Sequence, residues 1–478
     1  MPHEGFAMTT ENAATDSRQA IASLWQLCGG APAALDDLVL TGAEPALPSS
    51  FRVGTAAQAS IAAAGLAAAE LWRLRTGRRQ TVGIDMRHAA AEFRSERYLR
   101  VAGKGLKSLW DPIAGLYLTG DGRQVRLHTN FRHHRDAVLR LLGCGPTREE
   151  VQAALAKWDA VDFETRAYDA GCVVAALRAP EEWAAHPQGQ ALAALPPITV
   201  EKIGEASPRA LPDGPRPLSG LRVIDLTRVI AGPVGGRTLA AHGATVMRIG
   251  AAGLPSFDWL DKDTGRGKLS AHADIKTDEG RQALERLIST ADIFVQGYRP
   301  NAVAEHGFSP ADVARMRPGI VQVSLSAYSH SGPWAARRGF DSLVQTATGL
   351  NHAEGIALGT GGPKELPCQA LDHASGYFVA FGAMMARARQ ACEGGSWLVR
   401  VSLGQTGRWL GNLGRTTDGS VVPDPAFDDV QDLLETSASP FGEIQAVRHA
   451  ALLSETPARW DLPTVPLGTH APAWPASG

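Results

Sequence analysis

Residues 217–233 read PLSGLRVIDLTRVIAGP. The run 221–226 is short, apolar and rich in branched side chains, and Ala231, Gly232 and Pro233 follow it before a helical stretch at 236–241. A second apolar run, 245–249, comes at the spacing of a strand, turn, helix and strand unit, whose two strands pair in parallel. A third run, 293–295, follows the amphipathic stretch 278–290, and a fourth occupies 320–325. This alternation predicts a doubly wound α/β layer, with ligand sites beyond the carboxyl ends of its strands.

Upstream, residues 204–219 hold Pro208, Pro212, Pro215 and Pro217 with Gly214 among polar residues, the composition of an exposed connection. The main boundary is placed there. It divides the chain into an N-terminal extension (1–48), a first segment (49–203), a Pro-rich linker (204–219), a Rossmann-like segment (220–420) and a C-terminal tail (421–478). In the first segment, GLYLTGDGRQVRLH (115–128) sets Asp121-Gly122 between two alternating runs, which signals a hairpin. Helical patterns follow at 135–142, 149–157, 162–167 and 180–185.

The length of 478 residues suits two or three compact units. Hydrophobic residues at 44%, charged residues at 20% and a net charge of -2 leave no electrostatic footprint for nucleic acid or an acidic membrane surface. Five scattered cysteines without a CxxC pair argue against a disulfide framework and a zinc site, and fit a reducing cytoplasm. Residues 1–20 lack the apolar core of a secretory signal. The Ala-rich stretch 55–71, with Gln58 and Glu70, is too weakly apolar to span a bilayer and reads as a packed helix.

A shift of 317 positions lays residues 51–89 over 368–406, placing Gly77 on Gly394, Val82 on Val399, Ile84 on Val401 and Thr55 on Asp372. An internal repeat gives this match; so do two unrelated Ala-rich helices each followed by a strand. If the repeat is real, one copy alone has the carboxylate.

The segment 217–233 resembles the opening strand and loop of the family III coenzyme A transferases (CaiB/BaiF type). Further resemblances come in that family's order: the turn Arg266-Gly267-Lys268, ADIK (273–276), ADIFVQGYRP (291–300), PGIVQVSLSAYSHSGP (318–333), RGFDSLVQTATGL (338–350) and ALDHASGYFVAFGAMMA (370–386), the last similar to the helix that begins with the catalytic aspartate. Several ordered matches carry weight that one alone does not. The first segment resembles the family's second half: AELWRLRTGRRQTVGIDM (69–86), the hairpin region 114–130, and Glu182-Trp183. Second-half-like sequence therefore precedes first-half-like sequence, which implies two halves completing one Rossmann-like large domain, a smaller α+β domain and a site between them.

The resemblance implies an acyl-CoA:carboxylate transferase with no tightly bound cofactor, taking a coenzyme A thioester and a carboxylic acid as substrates and assembling as a homodimer. Asp372 is the implied nucleophile, forming a mixed anhydride and then an aspartyl coenzyme A thioester. Backbone amides at the start of its helix are expected to support the oxyanions. An Asp at a helix start is also a favoured N-cap, and position alone does not separate the two. Arg228, Val229 and Ala231 are carried over as coenzyme-loop residues, Tyr298 as an aromatic contact and Arg338 as a basic one; each arginine is also readable as a solvated charge, and Tyr298 as a packing residue. Gly232, Gly235 and Gly236 do not form a dinucleotide fingerprint.

The sequence departs from the family pattern at Gly250, Ala251 and Ala252, at Gln296-Gly297 and at Glu305, so altered coenzyme contacts are expected. His88, His128, His133, His134, His242 and His306 have no metal-ligand spacing and read as surface or capping residues; His373 reads as structural. Two other functions stay open on this fold: a non-catalytic coenzyme-binding or partner subunit, suggested by Thr55, and an acyl-CoA isomerase or racemase, disfavoured by Gly339-Phe340-Asp341.

Overall fold

The computed structural model describes residues 16–299 and 301–476. Most of the N-terminal stretch read above as no signal, residues 1–15, lies outside the described residues. The centre is a seven-stranded sheet built from β1 (Ile198–Gly204), β2 (Arg222–Leu226), β3 (Thr245–Gly250), β4 (Lys268–His272), β5 (Ile293–Gln296), β6 (Val321–Ser326) and β7 (Ser396–Ser402), in the order β4-β3-β2-β5-β6-β7-β1. Six strands are parallel; β1 closes one edge antiparallel to β7. The parallel strands follow a Rossmann-type order that reverses between β2 and β5, where a ligand crevice is expected. Val223, Ile224 and Leu226 are all buried, as a strand covered on both faces requires. The four expected strands are present; β4, read above as part of a turn, is an addition.

Four helices frame the site or the core behind it. Helix α1 (Val53–Thr76) is buried on every side from Val53 to Ala69, α2 (Ala231–Ala241) follows β2, and α4 (Ala370–Glu393) joins β6 to β7; a short helix α3 (Asp341–Ala347) precedes α4. No described helix is long and apolar enough to cross a membrane. Helix α2 begins five residues earlier than its sequence pattern suggests, so Gly232, Gly235 and Gly236 lie inside it rather than in a loop. Gly235 and Gly376 let α2 and α4 cross at close range: a Cβ on Gly376 would meet the Ala231 carbonyl oxygen at 2.6 Å, and one on Gly235 would meet Val379 Cγ1 at 2.6 Å. That crossing sets the start of α4 against the loop after β2.

The two sequence segments related by the 317-residue shift adopt the same local structure. Helices α1 and α4 each have 24 residues. Each is preceded by a residue of nearly identical conformation, Arg52 (φ -79°, ψ 63°) and Gln369 (φ -78°, ψ 63°), and followed by a glycine of positive φ, Gly77 and Gly394. Each also joins two parallel strands, Leu38–Thr41 with Val82–Asp85 for α1 and β6 with β7 for α4, and a helix starts at once after the second strand. The two long helices pack on each other within one core that draws Ile61 and Leu66 from one half and Phe378 and Phe381 from the other.

Residues of the first segment also form a separate α+β unit. Strands Gly115–Leu118, Gln124–Leu127 and Val174–Ala176 make an antiparallel sheet, backed by helices Arg132–Leu142, Arg148–Leu155 and Ala160–Asp169. Tyr117, Leu127, Val138, Leu155 and Phe163 give it a core of its own. The hairpin is held as Asp121-Gly122 requires: Asp121 accepts from the Thr119 hydroxyl at 2.6 Å, and Gly122 has φ +74°.

The Pro-rich stretch is strapped down rather than exposed throughout. Gln390 donates to the Ser207 carbonyl at 3.1 Å, Arg75 to the Pro217 and Ser219 carbonyls, and Arg216, Pro217 and Leu218 are buried. The segment after 420 is likewise laid on the body: the hairpin Leu434–Ser439 and Gly442–Val447 pairs with Arg100–Val101, Leu452–Leu453 with Val82–Asp85, and the Trp460 indole donates to the Arg237 carbonyl at 3.0 Å.

The helix crossing generates a direct test. Gly376→Ala is expected to cost about 1–3 kcal/mol in urea unfolding, because its methyl overlaps backbone rather than a flexible side chain. Loss smaller than about 0.5 kcal/mol would mean that α2 and α4 are free to separate.

Candidate active site

The sheet opens where its strand order reverses. Residues 227–231 leave β2, residues 297–299 leave β5 and residues 325–327 form the end of β6 and the residue after it, while Phe131, His133 and His134 approach from the smaller domain. Together they enclose a cavity of about 350 Å³. Asp372, Arg228, Val229, Ala231, Tyr298 and Arg338, the six residues singled out from sequence, all line it. A second cavity of about 300 Å³ adjoins it on the side of Arg97 and Trp110, and the two share Val229, Ile230, Phe340 and Asp372. Asp372 therefore stands at the junction of two chambers.

Asp372 is the third residue of α4 and is not its N-cap; Gln369 holds that position without a side-chain hydrogen bond. The capping carboxylate comes from α3. Asp341 Oδ2 accepts from the backbone amides of Leu371 at 2.8 Å and Asp372 at 2.9 Å, and Oδ1 accepts from the Gln345 side chain. These amides are consequently unavailable to an oxyanion, which corrects the expectation stated for the start of this helix. The Asp372 side chain, only 7% exposed, accepts no hydrogen bond from any described residue. Burial, followed by the nearby charges of Asp341 and Glu96, holds its pKa well above the ordinary carboxylate range. Burial also raises Asp341, but its three hydrogen-bond donors oppose the shift. The pair thus shares one negative charge more readily than two, with the charge on Asp341 and the proton on Asp372.

Neighbouring groups come from both halves of the chain. Burial works to raise the Glu96 pKa, but the hydrogen bond and charge of His373 outweigh it, and the net shift is downward. Its Oε2 lies 3.1 Å from His373 Nε2, and His373 stacks on Phe93, so this histidine turns away from the cavity and is structural, as expected. His128 stacks on Phe340 with ring centroids 3.8 Å apart, forming part of the partition between the chambers.

The first chamber is cationic. Arg228, Arg299 and Arg338 line it and pair with no carboxylate among the described residues, whereas Arg337 stacks on Trp334 at 3.9 Å and reaches Glu164 at 3.7 Å. Burial and the proximity of Arg299 lower the Arg338 pKa, as expected of a cation beside another without an intervening anion. At the mouth, Gln296 accepts the Tyr298 amide hydrogen at 2.9 Å and donates to the Ser324 hydroxyl at 2.6 Å, so the departure at 296 still fixes the turn that presents Tyr298. Val229 has φ +74°, a conformation that costs a β-branched residue about 1–3 kcal/mol. This strain sits where the loop bends between the chambers.

The reading of the histidines as surface or capping residues is corrected for four of the six; His133 is exposed and His306 half-buried. His88, His128, His134 and His242 are buried, and His133 and His134 face the first chamber. Burial, then the charges of His133, Arg338 and Arg228, pushes His134 down to about 3, and His133 is lowered as well. Both are neutral near pH 7 and offer hydrogen bonds without adding charge. Sequence reasoning also passed over Arg299, Phe340 as a partition and Asp341 as a cap; the last was visible only as the third residue of Gly339-Phe340-Asp341. Among the described residues, no group of three or more His, Cys, Asp or Glu side chains forms a metal site.

The repeated helix supplies a comparison within the chain. At α1, Glu44 Oε1 accepts the Thr55 amide hydrogen at 2.6 Å, much as Asp341 accepts that of Asp372. Thr55 is 0% exposed and lines neither chamber. The capping device is present twice, and the carboxylate facing a cavity once.

Residues 218–413 match the model of CoA-transferase family III. The chain is 30% identical over 326 residues to the acetyl-coenzyme A transferase nodX of Hypoxylon pulicicidum, covering 62% of this chain and 54% of that protein. It is 29% identical over 230 residues to the probable fatty acyl-CoA transferase Rv3272 of Mycobacterium tuberculosis, covering 44% and 58%. The orthorhombic crystal structure of Rv3272 aligns with a TM-score of 0.38 at 29% identity, over 42% of this chain and 58% of that one. The chain thus spans about half the length of these relatives.

The raised pKa of Asp372 has a consequence for stability. The folded state holds this proton more tightly than the unfolded chain, so the group's contribution is fully present below the ordinary carboxylate value of about 3.9 and is lost as pH rises through the raised value. Asp372→Asn is therefore expected to gain about 1 kcal/mol over the parent at pH 7 and little at pH 4, measured by urea unfolding at both. An equal effect at the two pH values would contradict the assignment.

Proposed function

From the premise that residues 218–413 belong to CoA-transferase family III, we propose that the protein is an acyl-CoA:carboxylate CoA-transferase with Asp372 as its nucleophile. One observation carries this reading: Asp372, without a side-chain hydrogen-bond donor, is the ionisable group shared by a cationic chamber and a second, adjoining one. A transferase must keep a released thiol near the reacting carboxyl while one acid leaves and another enters. Two chambers meeting at one carboxylate meet that need.

In the proposed reaction the coenzyme lies in the first chamber. Its phosphates face Arg228, Arg299 and Arg338, an aromatic contact comes from Tyr298, and Val229 and Ala231 border the thioester arm. Asp372 first gives up its proton to solvent, and its carboxylate then attacks the acyl carbonyl, forming a mixed anhydride and releasing the coenzyme thiolate; the proton returns when Asp372 is freed at the end. The thiolate attacks the aspartyl carbonyl of that anhydride, which yields an aspartyl thioester and the first carboxylate. The incoming carboxylate attacks this thioester, and the thiolate, released again, attacks the acyl carbonyl of the new anhydride. The products are the new acyl thioester and free Asp372, with no net water or proton consumed. Oxyanion support is assigned to the start of α2. Its first amides have no intrahelical partner and no side-chain cap, and Ala231 borders the chamber.

Transfer of coenzyme A from an acyl thioester to an isotopically labelled free acid tests the proposal. Asp372→Ala is expected to lower kcat by about a thousandfold or more while the protein stays folded. Retention of transfer would refute the assigned nucleophile. Asp341→Asn keeps an acceptor for the two amides but removes the neighbouring charge, so the acidic limb of the kcat/KM profile should move to lower pH. A limb that stays in place would remove Asp341 from the control of Asp372.

A further inference from the structure

The second chamber carries charge that the reading so far leaves unused. It opens on the far side of the Val229, Ile230 and Phe340 partition, and its walls include Leu106, Leu109, Trp110, Phe257 and Leu260, a lining suited to methylene groups. Two cations, Arg97 and Lys107, also line it. Both side chains are exposed, and neither pairs with a carboxylate or donates a side-chain hydrogen bond among the described residues. The neighbouring cation Arg94 differs: it is buried and bound to Asp424 at 2.6 Å. Glu96, a carboxylate that also lines this chamber, is buried and already committed to His373 at 3.1 Å. A chamber with an apolar wall, the reacting carboxylate at one end and two free cations is complementary to a short chain that is charged at its far end.

We propose that the second chamber selects acyl groups bearing a second, terminal carboxylate, so that the substrates are dicarboxylic acids and their mono-coenzyme A thioesters. This rests on the transferase reading and adds to it the substrate class. One carboxyl, as thioester or free acid, meets Asp372; the methylene chain lies along Trp110 and Phe257; the other carboxylate is neutralised by Arg97 and Lys107. A fatty acyl chain of the same length leaves both cations without a counterion and gains nothing from them.

Succinyl-CoA and butyryl-CoA have four-carbon acyl chains and differ in the terminal group, so they make the probe. Wild-type protein is expected to use succinyl-CoA with a kcat/KM about tenfold or more above that for butyryl-CoA, the size of one charge-assisted contact. Arg97→Gln and Lys107→Gln should each reduce this ratio by about threefold to tenfold, the double variant should abolish it, and Arg97→Lys should retain most of it. Both positions are exposed, so the variants are expected to keep the parent's urea midpoint. Turnover that favours butyryl-CoA, or a ratio unchanged in the double variant, would overturn the inference while leaving the transferase reading intact. Absence of transfer and of any Asp372 adduct with either thioester in the wild type would overturn both.

Discussion

The Asp341 carboxylate binds the two amides that open helix α4, and much of the site depends on that contact. It caps the start of a helix that has no local side-chain cap, holds Asp372 at a fixed place on the first turn, and sets an ionised neighbour beside a buried carboxyl. The same hydrogen bonds that stabilise the charge on Asp341 discourage charge on Asp372. The cost falls on folding; in the proposed reaction the benefit falls on reactivity, since a carboxylate of raised basicity is a better nucleophile once its proton has gone. The glycine crossing of α2 and α4 completes the arrangement by bringing the strained loop at Val229 against the same turn.

A local structure that occurs twice frames the site. Helices α1 and α4 have equal length, matching approach geometry and a capping carboxylate each, and they pack together in one core. Of the two, α4 alone sets a carboxylate against these cavities. The other has Thr55, fully enclosed, and contributes packing. Chain segments on either side of the proline-rich strap then divide the work. The sheet carries the loops after β2 and β5, and the first segment brings Glu96, Phe131 and His134 across to close the chambers.

The parallel strands, the hairpin at Asp121-Gly122 and the long packed helices were legible because their signals are local: apolar runs, turn residues and an Ala-rich stretch without charges. Asp372 and the five coenzyme candidates were legible through ordered family resemblance, and the fold gathers all six around one cavity. Other features were hidden because they are tertiary. Asp341 caps a helix 30 residues away, which no spacing rule anticipates. His134, on a helix of the smaller domain, is buried where that domain meets Phe340, whereas its neighbour His133 is exposed, so the doublet resembled surface. The start of α2 was misplaced because glycines that suggest a loop instead allow close packing against Val379 and the backbone of α4. Strand β4 was missed because its Lys268 is buried by pairing with Asp225 at 2.7 Å, a partner 43 residues away.

The most direct test of the central claim is the mass of the protein itself during turnover. Rapid acid quenching after mixing with excess acyl-CoA, followed by intact-mass measurement and peptide mapping, reads the covalent state of Asp372. A mass increase equal to coenzyme A less one water, confined to the peptide that contains Asp372, is the result this account predicts. Unmodified protein during active transfer, or an adduct confined to another residue, would contradict it.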